Sequence, residues 1–280
     1  MSQELLVTNQ VLRYENGKVQ LVEDTIVTEY PITIVLNGEE FATLVCSPED
    51  LEDLVVGFLA SEGIISRYED IKDIQIIELT GKAIVTTHRV NKLNEKFHSK
   101  RIVSSCCGKS RQSFYFYNDA RTVKPIETKE KVISIGDCFR LMDTMQNSST
   151  IFQETGGVHN AALCDKNGII VAKTDIGRHN ALDKIYGYCL KHSISMEDKV
   201  IVFSGRISSE VLIKVAKIKC GVVLSKSAPT ELSLRLANEL GITAVGFIRK
   251  KALNVYTNPE RIIGLEGEEI VQQHASCALN

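Results

Sequence analysis

From the amino terminus, apolar and polar side chains first alternate at the period of a strand. Val19 to Val27, Ile32 to Leu36 and Phe41 to Val45 read as strands. Asn37-Gly38 between the last two is a hairpin signal, because Asn and Gly tolerate the left-handed backbone that a two-residue turn demands. A helical stripe follows, with Leu51, Leu54, Val55, Phe58 and Leu59 on one face. Ser47 is placed to cap this helix, Pro48 suits its first position and Gly63 its end. Strands at Ile71 to Leu79 and Ala83 to Val90, joined by Thr80-Gly81-Lys82, complete a small α+β roll over residues 18–95. The polar residues 91–100 read as a linker or an exposed connection.

The second half follows another rule. Lys199 to Phe203, Val222 to Leu224 and Ile242 to Ile248 are short apolar runs, and between them Ser208 to Lys219 and Thr230 to Leu240 repeat at helical spacing. This β-α-β-α-β order predicts a parallel sheet covered on both faces, with Gly221 and Gly241 as helix stops. Upstream, a hairpin turns at Asn167-Gly168, and Leu182, Ile185, Tyr186 and Cys189 mark a further amphipathic helix. The larger α/β domain is expected over residues 96–265.

At 280 residues, with 44% hydrophobic and 24% charged side chains, the chain has the composition of an ordinary globular protein of about two domains. Thirty-three basic against 35 acidic residues leave a net charge of −2, which argues against a broad cationic surface for nucleic acid and makes any anion site local. No apolar run of about 18 residues occurs and Met1-Ser2-Gln3-Glu4 lacks a signal-peptide pattern, so the chain reads as cytoplasmic, with no membrane partner. The eight Cys contain no Cys-x-x-Cys pair, which disfavours both a zinc ribbon and a secreted disulfide framework.

Candidate chemistry falls in three places. In Arg101-Ile102-Val103-Ser104-Ser105-Cys106-Cys107-Gly108-Lys109-Ser110-Arg111, adjacent thiols lie among small residues and three cations able to lower a thiol pKa. Neighbouring Cα atoms are about 3.8 Å apart, too close for an unstrained disulfide, and His98 does not complete a zinc set. The pair is therefore either nucleophilic or two incidental loop thiols. Second, Gly-x-His-Asn-Ala occurs twice, at Gly157 to Ala161 and Gly177 to Ala181, as ligand-contacting loops or as plain turns. Third, the carboxyl ends of the parallel strands carry Ser204-Gly205-Arg206, Ser225-Lys226-Ser227 and Arg249-Lys250-Lys251, where a phosphate or pyrophosphate fits. No standard dinucleotide or P-loop motif is present.

Together, Ser104 to Lys109, Glu154 to Ala161, Asp175 to Lys184, Ser204 to Glu210 and Gly246 to Tyr256 resemble the FdhD/NarQ family of formate dehydrogenase accessory sulfurtransferases. The resemblance implies an α/β fold whose larger, three-layer domain is cytidine-deaminase-like, beside the smaller amino-terminal roll, in a cytoplasmic homodimer. It also implies a sulfurtransferase that takes persulfide sulfur from a cysteine desulfurase. The sulfur goes to the molybdenum cofactor, bis-molybdopterin guanine dinucleotide, bound as a substrate through a GDP-like moiety and required by the formate dehydrogenase apoenzyme. Family members often carry Cys-x-x-Cys-Gly where this chain has Ser104-Ser105-Cys106-Cys107-Gly108, so Cys107 is the implied persulfide carrier and Cys106 a relay or resolving thiol. Phe247, Ile248, Arg249, Lys250, Lys251 and Ala252 align with the cofactor-binding stretch. There Arg249 to Lys251 suit pyrophosphate, while Phe247 reads either as a stacking ring or, by strand alternation, as a core residue. His159, Arg178, His179 and Arg206 are secondary candidates. Zinc deaminases use His-x-Glu and Pro-Cys-x-x-Cys, and neither occurs, so no metal ligand is expected. Two other roles are open: a chaperone that holds the cofactor without moving sulfur, and a thiol-redox protein.

Overall fold

The computed structural model describes residues 4–88, 101–103 as backbone, 123–128, 130 and 132–265. Cys106 and Cys107 therefore lie outside the described residues, as do Lys109, Arg111 and the whole of the expected 91–100 connection. In chain order, β1 (Leu6–Glu15) and β2 (Lys18–Val27) form an antiparallel hairpin of their own. β3 (Tyr30–Leu36) and β4 (Glu39–Cys46) turn at Asn37-Gly38, both with positive φ, as the dipeptide predicts. α1 (Leu51–Ser61), β5 (Ile71–Ile77), β6 (Lys82–Thr87) and β7 (Arg101–Val103) complete a five-stranded sheet in the order β5-β6-β3-β4-β7. Its buried face, with Ile32, Ile34, Leu44 and Val85, packs on Leu54, Val55, Phe58 and Leu59 of α1.

The chain continues through β8 (Ile133–Ser134), α2 (Ile135–Ser148), α3 (Thr150–Thr155), β9 (His159–Asp165), β10 (Gly168–Asp175), α4 (Arg178–Lys191), β11 (Val200–Phe203), α5 (Ser209–Ile218), β12 (Val222–Ser225), α6 (Glu231–Glu239), β13 (Thr243–Arg249), β14 (Ala252–Val255) and β15 (Ile262–Ile263). The six-stranded sheet has the order β10-β9-β11-β12-β13-β14, with β11, β12 and β13 parallel and the flanking strands antiparallel. Alternation inside β11 explains the layers. Val200 and Val202 face α2, with its Cys138, Leu141, Met142 and Met145, whereas Ile201 and Phe203 face the cluster containing α4, α5 and α6.

Several elements depart from the expected pattern. Ser47 does not cap α1: the helix begins at Leu51 after Asp50, which has φ 52°, and the Ser47 hydroxyl is committed to Asp175 across the molecule. Lys219 rather than Gly221 takes the left-handed position that ends α5, at φ 67°. Gly221 instead gives room to Arg261, whose Nε would lie 3.2 Å from a Cβ at that position. β1 and α2 lie where no element was expected, and β7, beyond the 18–95 roll, pairs with β4 of the smaller sheet.

α1 and α4 join the two sheets backbone to backbone. A Cβ at Gly57 would sit 1.8 Å from the Asp183 carbonyl oxygen, and one at Gly187 1.9 Å from that of Asp53, so only glycine fits at either position. Ion pairs flank the contact: Lys173 bridges Asp50 and Asp53, and Lys191 bridges Glu52 and Asp53.

Candidate functional site at the carboxyl edge of the larger sheet

The parallel strands β11, β12 and β13 end on one edge, and their loops are bonded sideways to one another. The Ser204 amide donates to the Asn160 carbonyl at 3.0 Å, and its hydroxyl accepts from the Asn160 amide at 3.0 Å. The Ser225 hydroxyl donates to the Gly205 carbonyl at 2.7 Å and accepts from the Ser227 amide at 2.9 Å. Ser227 in turn accepts from the Phe247 amide at 3.2 Å. Ser208 and Thr230 then cap α5 and α6. The two serine-rich loops and the β13–β14 hairpin thus form a continuous rim that presents Arg206, Lys226 and the 247–252 stretch. Lys226 is tied to Gln146 of α2 at 2.9 Å, while Arg206 is exposed.

The hairpin contains a bulge. Gly246 pairs with Asn254 and Arg249 with Ala252, so three steps on β13 face two on β14. The extra residue is accommodated by Phe247, which adopts φ 52°, an uncommon conformation for a bulky side chain. This inverts the expected alternation. Phe247 is not in the core but 38% exposed, while Ile248 is buried among the residues packed on α2. The Arg249 guanidinium lies over the Phe247 ring at 5.6 Å, and Lys250, Lys251 and Ala252 are exposed beside it. The stretch 247–252 therefore offers one aromatic face and three cations, with Ile248 as the anchor.

β9 is antiparallel to β11 and starts at this same edge with His159, which pairs with Asp175 at the end of β10. Asp175 is fully buried and takes five hydrogen bonds. Its Oδ1 accepts from the Gly177 amide and the Asn180 side-chain amide, both at 2.8 Å. Its Oδ2 accepts from the Ser47 amide at 3.0 Å, the Ser47 hydroxyl at 3.1 Å and Lys184 Nζ at 2.8 Å. Lys184, also fully buried, spends its other protons on Ser47 Oγ and the Thr174 carbonyl, both at 2.9 Å. Asn180 reaches the Val45 carbonyl at 2.9 Å. Asn160 is likewise internal, bonded to Ser149 and Thr174.

The two Gly-x-His-Asn-Ala stretches therefore divide by residue. Their asparagines build the scaffold, while Arg178, His179 and His159 remain half-buried at the rim. His179 Nε2 lies 3.4 Å from Glu210 Oε2 at the start of α5. Burial, reinforced by the positive charge of Arg178 and opposed by Asp175, holds the His159 pKa below its ordinary value. The sequence signal for the scaffold is the polar stripe Asn180, Asp183, Lys184, Gly187 at helical spacing, a buried second face of α4 turned to the α1 side.

The described thiols are poor nucleophiles. Cys46, Cys138, Cys164 and Cys189 are buried and their pKa values are pushed up to about 12 by that burial, and Cys220 to about 11. Among the described residues no group of His, Cys, Asp and Glu is arranged to hold a metal, and no helix is long and apolar enough to cross a membrane.

The chain is similar throughout to proteins of one kind. "Sulfur carrier protein FdhD" of Bacillus subtilis (strain 168) is 53% identical over 262 residues, covering 94% of this chain and 99% of the relative. Its counterpart in Listeria monocytogenes serotype 4b is 52% identical over 259 residues, covering 92% and 99%. A crystal structure from Desulfotalea psychrophila, of a chain assigned as a formate dehydrogenase accessory protein, superposes with a TM-score of 0.76 at 24% identity, over 93% of this chain and 100% of that one, which supports the fold. The FdhD/NarQ profile matches residues 27–263, and the chain belongs to that family.

Proposed function

We propose that this protein is a sulfurtransferase that carries sulfur as a persulfide on Cys107 and delivers it to the molybdenum cofactor required by formate dehydrogenase. The Cys107 thiolate attacks the outer sulfur of a persulfide on a cysteine desulfurase. A bond forms to that sulfur, and the desulfurase thiolate leaves. Cys106 acts as relay or resolving thiol. The cofactor, bis-molybdopterin guanine dinucleotide, is cargo held by its guanine nucleotide end, with pyrophosphate against Arg249, Lys250 and Lys251 and the ring against Phe247. We further read the larger domain as cytidine-deaminase-like and the protein as a cytoplasmic homodimer, for which the exposed face of the β1–β2 hairpin, with Leu12, Tyr14, Val19 and Leu21, offers a surface.

The observation that carries this reading is a shared direction. β7 runs parallel to β4, with Val103 beside Leu44, and β4 leads to Ser47 at the Asp175 end of β10. The strand that precedes the cysteines thus points to the edge bearing the cationic rim. Cys107 follows Val103 by four residues, a reach of at most about 14 Å. The five described thiols are inert, which leaves Cys106, Cys107 and Cys277 as the carriers open to choice.

Intact-protein mass spectrometry after incubation with a cysteine desulfurase and cysteine tests the reading. The wild type should gain one sulfur on Cys107, and Cys107→Ala should lose transfer while still binding GDP. Full formate dehydrogenase activation by Cys107→Ala would instead establish the chaperone role.

A further inference from the structure

Ser47 directly follows β4 and is buried, yet each of its hydrogen bonds crosses to the larger sheet or to α4. Its amide donates to Asp175 Oδ2 at 3.0 Å, and its hydroxyl donates to the same oxygen at 3.1 Å and accepts from Lys184 Nζ at 2.9 Å. Two residues earlier, the Val45 carbonyl accepts from the Asn180 side chain at 2.9 Å. The end of β4 is thus held at two points to the β10–α4 corner, by groups that are expensive to leave unpaired once buried. β4 is also the strand on which β7 rests: Ala42, Thr43 and Leu44 pair in parallel with Arg101, Ile102 and Val103. Val103 therefore stands beside Leu44, three residues and about 10 Å along the strand from Ser47. On the other side of the network, Asp175 Oδ1 holds the Gly177 amide at 2.8 Å, and a Cβ on Gly205 would lie 3.6 Å from Arg178 Cβ. A path of bonds and contacts leads from β7 through β4, Ser47 and Asp175 to the loop that carries Arg206.

We propose that Ser47 is a positioning residue: through Asp175 and Lys184 it sets the point from which the Cys107 tether departs, and with it the effective concentration of the Cys107 thiol at the rim. The proposal rests on the carrier reading of Cys107 above and adds the residue that aims the carrier. A tether of four residues reaches at most about 14 Å from Val103, too short to absorb a shift of its origin. Serine suits the position because one small hydroxyl serves both members of the ion pair, as donor to the carboxylate and acceptor for the ammonium.

Disulfide trapping reads that concentration. Full-length protein carrying Arg206→Cys at the exposed rim, with Cys106→Ser and Cys277→Ser to remove competing thiols, is equilibrated in glutathione buffers. The bond between Cys107 and the introduced thiol forms as one oxidised glutathione is reduced to two thiols. Adding Ser47→Ala should lower the effective concentration by about threefold or more, while the Ser47 amide and Asn180 keep the variant folded. Ser61→Ala, which takes a buried hydroxyl from Asp183 at the carboxyl end of α1, should leave it unchanged. Equal values with and without Ser47→Ala overturn the proposal. An equal fall in Ser61→Ala also overturns it, since that marks a general loosening of the contact between the sheets. A parent protein with Ser47 intact that forms no such bond shows that Cys107 does not reach the rim, which refutes the carrier reading and the aim given to Ser47 with it.

Discussion

Two corners of one sheet edge carry cations and are built in opposite ways. At the β10–α4 corner, a buried carboxylate with five donors and a buried ammonium with three acceptors fix every backbone turn around Arg178. At the β13–β14 hairpin, Arg249, Lys250 and Lys251 are exposed on a bulge with two left-handed residues, Phe247 and Lys250, and Ile248 alone of the 247–252 stretch is sunk in the core. The first corner trades stability for position, since a buried ion pair contributes little net energy yet is costly to break. The second keeps its cations hydrated and adaptable. A ligand that spans both meets one rigid contact and one compliant one.

Substitutions separate the two designs. The largest effect is expected from Asp175→Asn, which leaves Lys184 buried without its counter-charge and costs about 3–5 kcal/mol in urea denaturation. Lys184→Met should cost less, because four donors still serve the Asp175 carboxylate. Gly187→Ala, forced against the Asp53 carbonyl, should cost about 1–3 kcal/mol by the same assay. At the hairpin, replacing Arg249, Lys250 and Lys251 together by Gln should leave stability within about 0.5 kcal/mol while lowering GDP affinity and flattening its salt dependence. The smallest effect concerns His159, whose pKa is held down in the folded state. The unfolded chain takes up the proton first as pH falls below about 6.5, so stability declines there, and His159→Gln should remove that slope.

Much of the larger sheet was legible because β11, β12 and β13 are continuous apolar runs and their intervening helices are capped by Ser208 and Thr230. The convergence of Arg206, Lys226 and Arg249 followed from the same parallel order. The hidden features are long-range or local exceptions. Ser47 looks like a cap, and only its partner 128 positions away gives it another use. Phe247 fits a strand alternation that a single bulge reverses. β2 alternates like a half-buried strand, yet Val19 and Leu21 face outward beside Leu12 and Tyr14 of the unexpected β1, so the period signals the strand but not what covers it. The motif Asp175 to Lys184 drew notice for its polar residues, most of which turn out to hold α4 to the smaller sheet rather than face a ligand.

A ligand received at the carboxyl edge of the six-stranded sheet leaves a mark on the rim loops and none on the far edge. Backbone amide shifts of isotope-labelled protein titrated with GDP test it most directly. Perturbations are expected at His159, Arg178, Ser204 to Arg206, Lys226 and Phe247 to Lys251, with none at Lys199, Gly221 or Gly241 on the opposite edge. Shifts concentrated at that opposite edge, with the rim unmoved, would contradict it.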